Sequence, residues 1–349
     1  MNDPTNFDPN GVGLRNGNFI GLPFSEDQAK VVLLSVPWDV TVSYGAGTSD
    51  GPANILEAST QLDLFDPHVP DAWKIGLYMR PGDPKWIEKN KTLRPLAVRW
   101  IEGLEQPETS EEMRQIAQTD LDRINAACAE LHDEVEQAAA QLIAQGKVVG
   151  VVGGEHSVPL GLLRALTQTQ EAFGILHLDA HLDLRVAYEG FTYSHASIFY
   201  NALQMPEITR MVSVGIRDYC EAEADYVTAS DGRVRVFYDH ELAAAKFKGA
   251  NWHALCQHII AELPERVYIS FDVDALRPEL CPHTGTPVPG GLSYPEALHL
   301  LVELQRSGRR IIGFDLCETA GRPHEWDGNV AARLLYKMSN LAAITQPRS

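Results

Sequence analysis

Basic residues are scarce in this chain: 29 Lys and Arg stand against 47 Asp and Glu, a formal net charge of −18. That deficit argues against nucleic acid or an anionic membrane as partner, because both need a positive footprint. It suits a small cationic ligand, and it also serves plain solubility. Cysteine is sparse as well. Cys128, Cys220, Cys256, Cys281 and Cys317 are scattered, with no C-x-x-C pair, and read as reduced thiols that mostly fill core. Cys281 and Cys317 are expected to line a site without doing chemistry. No apolar stretch nears the ~20 residues a bilayer span requires. The first thirty residues lack a basic segment followed by an apolar one, so a cytoplasmic location is expected. Internal repeats, low-complexity tracts and linkers are missing too.

What the chain does have is 44% hydrophobic residues, enough for a sizeable core. They are arranged in eight short runs: "VVLLSVPW", "KIGLYM", "KVVGVVGG", "GILHLDAH", "MVSVGIRD", "VRVFYD", "RVYISFDVD" and "RIIGFDL". Near-continuous apolar strands belong to a sheet covered on both faces, hence parallel with helical crossovers. Helical patterns lie between them over 110–147, 251–264, 293–308 and 329–345. The spacing predicts one doubly wound α/β domain over 31–349, with about eight strands, behind an N-terminal extension over 1–30. Residues 79–110 are the least regular and read as an excursion over the surface.

Three of these strands end in charge. "DAHLD" places Asp179, His181 and Asp183 two apart, "FDVD" supplies Asp272 and Asp274, and "GGEHS" supplies Glu155 and His156. Extended backbone projects residues i, i+2 and i+4 to one side, so these groups would converge at one edge of the sheet. Four clustered carboxylates repel one another unless positive charge lies among them. Two divalent cations balance them, and an oxygen- and imidazole-rich set suits Mn, Fe or Ni. Such a pair can activate a water against an electrophilic carbon.

"GGEHS", "DAHLDLR" and "SFDVDALRP", in this order, resemble the three signatures of the ureohydrolase (arginase/agmatinase) superfamily, and "HTGTPVPGGLSYPEAL" resembles the loop after the third. The resemblance implies a three-layer α/β/α fold, assembly as trimers or hexamers, and hydrolysis of a guanidino C–N bond. Carried over, His156, Asp179, Asp183 and Asp272 would hold one ion, and Asp179, His181, Asp272 and Asp274 the other. Asp274 would hold the nucleophile's proton, Glu318 would grip the guanidinium, and His195 would pass a proton to the leaving nitrogen. Glu155 stands where many relatives have Asp and is expected to support His156. The stretch "VAYEGFTYSHAS" lacks the polar loop with which arginases hold an amino acid, so arginine is a poor candidate. The pattern looks most like bacterial guanidine hydrolases and metformin-type biguanide hydrolases, which points to Ni²⁺, with Mn²⁺ as alternative. Tyr188, Phe191 and Tyr193 could wall in a planar cation, and His283 and Thr284 could overlook the metals. The alternatives are agmatinase or another guanidino-alkane hydrolase, and a supporting, non-catalytic subunit in a heteromer.

Overall fold

The computed structural model describes residues 7–106, 110–170 and 172–347. All eight expected strands are present: β1 Val31–Val36, β2 Leu77–Arg80, β3 Val148–Gly153, β4 Phe173–Leu178, β5 Ile208–Ile216, β6 Val234–Tyr238, β7 Arg266–Asp272 and β8 Arg310–Cys317. They form one sheet in the order β2-β1-β3-β8-β7-β4-β5-β6, and every pairing is parallel. The continuous apolar runs have their physical cause here: β3 and β4 are buried at every residue because both faces of the sheet are covered.

Among the described residues ten α-helices supply the cover: α1 Gly51–Ser59, α2 Pro84–Leu104, α3 Glu111–Ala144, α4 Leu160–Thr167, α5 Ile198–Ala202, α6 Glu221–Ala229, α7 Asp239–Phe247, α8 Trp252–Ala261, α9 Tyr294–Arg306 and α10 Glu325–Ile344. One buried cluster joins Ile55 of α1, Ile259 of α8, Leu301 of α9 and Leu335 of α10 to the near face of the sheet. A second joins Leu93 of α2, Leu131 of α3 and Leu163 of α4 to the opposite face. The architecture is thus three-layered. Among the described residues no helix is long and apolar enough to cross a membrane.

One expectation fails. Residues 79–110 are not an irregular excursion, because 84–104 form α2. Asp83 caps it by accepting from the Lys85 amide at 2.8 Å, and Pro84 occupies the first turn, where its missing N–H costs nothing. Trp86, Asn90, Leu93 and Ala97 turn to the core at helical spacing. Pro95, inside the helix, hides the pattern in the sequence. The stretch before β1 also packs into the domain over its described part. Phe19, Ile20 and Leu22 are buried, and the Asn18 side chain bonds the Leu77 carbonyl and the Met79 amide of β2.

Candidate metal centre

Four neighbouring strands at the middle of the sheet, β3, β8, β7 and β4, end on one edge. Each is closed by acid or imidazole: Glu155 and His156 after β3, Glu318 after β8, Asp272 and Asp274 at β7, and Asp179 after β4. In open α/β sheets this edge is where ligands bind.

The donors converge, although not by the alternation of an extended strand. Past Leu178 the backbone turns, and Asp183 sits at φ 54°, in the left-handed region. Asp179 accepts from the His181 amide at 2.6 Å, and Asp272 from the Asp274 amide at 2.8 Å. Each first acid therefore caps a tight turn that delivers the second group to the same side.

All six expected donors meet. His156 Nδ1 lies 3.0 Å from Asp179 Oδ2, 3.2 Å from Asp183 Oδ2 and 3.4 Å from Asp272 Oδ2. His181 Nδ1 lies 3.0 Å from Asp274 Oδ2 and 3.4 Å from Asp179 Oδ1. Asp179 faces both imidazoles, one oxygen to each. Asp272 turns Oδ2 toward His156 and uses Oδ1 for the turn.

The protein alone leaves this cluster in electrostatic conflict. Burial, then the neighbouring Asp274 and Asp179, push the Asp272 carboxyl well above the usual range. Burial and Asp179 push Asp183 to about 7. Against burial, His177, His156 and His181 hold Asp179 well below that range. His156 and His181 are driven upward by the surrounding carboxylates, also against burial. Glu318 Oε2 is buried with no hydrogen-bond partner among the described residues, and Asp274 Oδ2 faces the His181 ring without a well-formed hydrogen bond. Buried polar atoms are rarely left so without an ion or water to meet them. Ligand atoms of His156, His177, Asp179 and Asp183 lie within 4.8 Å of one another, as do those of Asp179, His181 and Asp274. This donor set fits two divalent ions that share Asp179.

A model of the arginase family matches residues 29–339. The chain belongs to the arginase family. It is 30% identical over 319 residues to the N(1)-aminopropylagmatine ureohydrolase of Thermus thermophilus, covering 91% of this chain and 92% of that protein. It is 28% identical over 295 residues to the agmatinase of Halalkalibacterium halodurans, covering 84% and 85%. In fold it is similar to the proclavaminate amidino hydrolase of Streptomyces clavuligerus, with a TM-score of 0.72 at 23% identity over 96% of this chain and all of that one. It is accordingly a ureohydrolase, a hydrolase of guanidino C–N bonds.

Around these six side chains stand supports that sequence reading missed. His177, on β4 two residues before Asp179, places Nε2 2.8 Å from Asp179 Oδ2 and packs on Phe199. Inside an apolar run it reads as core, and only the i, i+2 relation to Asp179 marks it. His156 Nε2 lies 2.9 Å from Ser270 Oγ, which donates to Asp315 Oδ2 at 2.7 Å. That chain of bonds turns Nδ1 toward the acids. Glu155 supports something other than His156: it accepts from the Thr41 amide and hydroxyl, both at 2.8 Å, and from Ser157.

Thr41 in turn holds His195. Its carbonyl lies 3.1 Å from His195 Nδ1 and its hydroxyl accepts from the His195 amide at 3.2 Å. Burial, then the charge of His181, lowers His195 to about 3. Its ring lines a cavity of about 170 Å³ with Ser43, His181, Asp183, Tyr188 and Asp218, among others. Glu318, at φ 62°, spends Oε1 on the His156 amide at 2.8 Å. Burial raises its carboxyl well above the usual range.

The expected substrate walls separate. Tyr188 lines the cavity, and Arg185 stacks over its ring at 4.5 Å. Tyr193 does not line it. That ring packs edge-on against buried His132 at 5.2 Å, and Phe191 is fully buried in the core. His283 turns away to Asp327 at 3.0 Å and stacks on His324 at 3.8 Å. Thr284 positions one residue of the site, donating to the Glu318 carbonyl at 2.8 Å. Cys317, behind the centre, is buried and faces Asp315.

Proposed function

We propose that this chain hydrolyses the guanidino C–N bond of a small cation at a pair of divalent ions, held by His156, Asp179, Asp183 and Asp272 on one side and by Asp179, His181, Asp272 and Asp274 on the other. The observation that carries it is the meeting of two imidazoles and four carboxylates from three strand ends. When bound, the ions would supply a water of lowered pKa and offset the negative charge that develops on attack.

The chain's own residues do the rest. Glu318 keeps Oε2 free to take a guanidinium N–H. Gly285 lies so close that a Cβ there would sit 3.1 Å from that oxygen, so a side chain would crowd the substrate's place. The Thr41 carbonyl can only accept, so His195 donates to it through Nδ1–H and presents Nε2 as a base. A neutral imidazole cannot start as the acid. It first accepts a proton at Nε2, relayed from the attacking water by Asp274, and then gives that proton to the departing nitrogen.

For the substrate, a guanidinoalkane with a cationic tail comes first. N(1)-Aminopropylagmatine and agmatine are what the relatives of near-full coverage are named for, and exposed Asp218 at the cavity wall suits a second positive charge. Guanidine or a biguanide is the second reading, favoured by the small cavity with Tyr188 as its aromatic wall. The test is urea and amine release by the purified single chain, loaded with Mn²⁺ or with Ni²⁺, from agmatine, aminopropylagmatine, guanidine, dimethylbiguanide and arginine. The guanidinoalkanes should give the highest kcat/KM and arginine the lowest. No product from any of them would overturn the reading and favour a supporting subunit that needs a sister chain. The same comparison of loaded metals tests the preference for Ni²⁺ over Mn²⁺.

A further inference from the structure

Helices α8 and α9 lie side by side and send Cys256, Ile259, Ile260, Leu300, Leu301 and Leu304 into the core. Their other faces carry an unexplained cluster. His299 and Glu303 are four apart on α9, and His253 and Gln257 four apart on α8, so each pair shares a helix face. His253 Nδ1 lies 3.3 Å from His299 Nε2 and 3.5 Å from Glu303 Oε2. One ligand atom from each of the three lies within 4.8 Å of the others. The rings do not stack: their planes are 64° apart with centroids at 5.5 Å, so they converge through their nitrogens.

Glu303 is the informative member. Its side chain is only 7% exposed. Arg306 occupies Oε1 at 2.8 Å, and Oε2 turns to the imidazoles, where Gln257 also donates at 3.0 Å. A buried carboxylate is thereby held opposite two imidazole nitrogens, while His253 stays 58% exposed and leaves the outer side open to water.

We propose that His253, His299 and Glu303 form a third divalent-ion site, clamping α8 to α9 and separate from the strand-end centre. Two imidazoles and one carboxylate suit a borderline ion of the zinc, nickel and copper group over Mg²⁺ or Ca²⁺. Three protein ligands leave the remaining positions to water. The site lies on elements that contribute no donor to the strand-end centre, so it stands or falls independently of the proposed hydrolysis.

The test uses the tag-free full chain, stripped with chelator and dialysed to equilibrium against Zn²⁺, with bound zinc measured by atomic absorption. The unaltered chain should bind one more ion than either His253→Ala or His299→Ala. Loss of a direct ligand should weaken that ion more than the about 10–100-fold that follows loss of an outer partner. Both ion-free variants should keep the ion-free parent's far-ultraviolet circular dichroism, which shows that they fold. In Asp272→Ala, zinc should still raise the melting temperature, and adding His299→Ala should abolish that rise. Equal zinc binding by the unaltered chain and either variant, or a melting response that survives His299→Ala, would overturn the proposal.

Discussion

The ion-binding half of the site and its substrate-binding half are built differently. The six donors come from the ends of β3, β7 and β4, which the parallel sheet aligns on one edge with β8 between β3 and β7. Their geometry is inherited from hydrogen-bonded backbone. The cavity wall is assembled from Ser43, Tyr188 with His195, Asp218 and Thr286, which come from connections far apart in the chain. A sheet edge can be read from sequence spacing because the sheet sets where each strand stops. Loops meet only through tertiary bonds such as Thr41 to Glu155 and Thr41 to His195. One half should therefore fail as a unit when broken, and the other should fail piece by piece.

The largest effect comes from Asp272→Ala. After Mn²⁺ loading the variant should lose the ions of the strand-end centre, measured as manganese by elemental analysis after gel filtration, and its turnover should fall below detection. Its ion-free form should nonetheless melt no lower than the ion-free parent, because burial and two acidic neighbours make this carboxyl costly without cations. A fully metallated, active variant would refute the assignment. His195→Ala should behave oppositely, keeping full metal content while kcat drops by about 10²–10⁴. If its metal content fell in step with its activity, His195 would belong with the donors and the division between the halves would be lost.

That division also explains what the sequence disclosed. The eight strands and the meeting of six acidic and imidazole side chains were legible because apolar runs ending in D-x-H-x-D, D-x-D and G-G-E-H leave few other structural uses for those groups. Their mode of convergence was not legible: the turns capped by Asp179 and Asp272 look, in sequence, like continued strand. Helix α2 was hidden by Pro95. The tyrosines could not be sorted. Tyr188, Phe191 and Tyr193 sit within six residues, yet one faces the cavity and the others face the core, because Gly190 and Glu189 both have positive φ and reverse the chain between them.

A matched pair sharpens that last point. Tyr188→Leu should raise KM for the cationic substrate several-fold, in keeping with the loss of about 0.5–2 kcal/mol of cation–π attraction, and leave the melting temperature near the parent's. Tyr193→Leu should do the reverse, lowering the melting temperature with KM unchanged. Equal KM effects from the two would place both rings at the substrate.

The smallest effect concerns the residue behind Tyr193. His132 is fully buried, neither ring nitrogen has a hydrogen-bond partner among the described residues, and burial with the nearby Arg164 charge lowers it to about 3. In the unfolded chain it titrates near its ordinary 6.5. Between those values the unfolded state binds a proton that the folded state does not. Its contribution to stability is therefore complete above pH 6.5 and declines as the pH falls toward 3, by at most ~1.4 kcal/mol per unit. His132→Leu removes that share of the decline. Urea midpoints of the chelator-treated parent and variant, taken at pH 7, 6 and 5, should draw together or cross as the pH drops. Parallel lines would mean that the imidazole finds a partner in solution and that the core around Tyr193 is wetter than its packing implies.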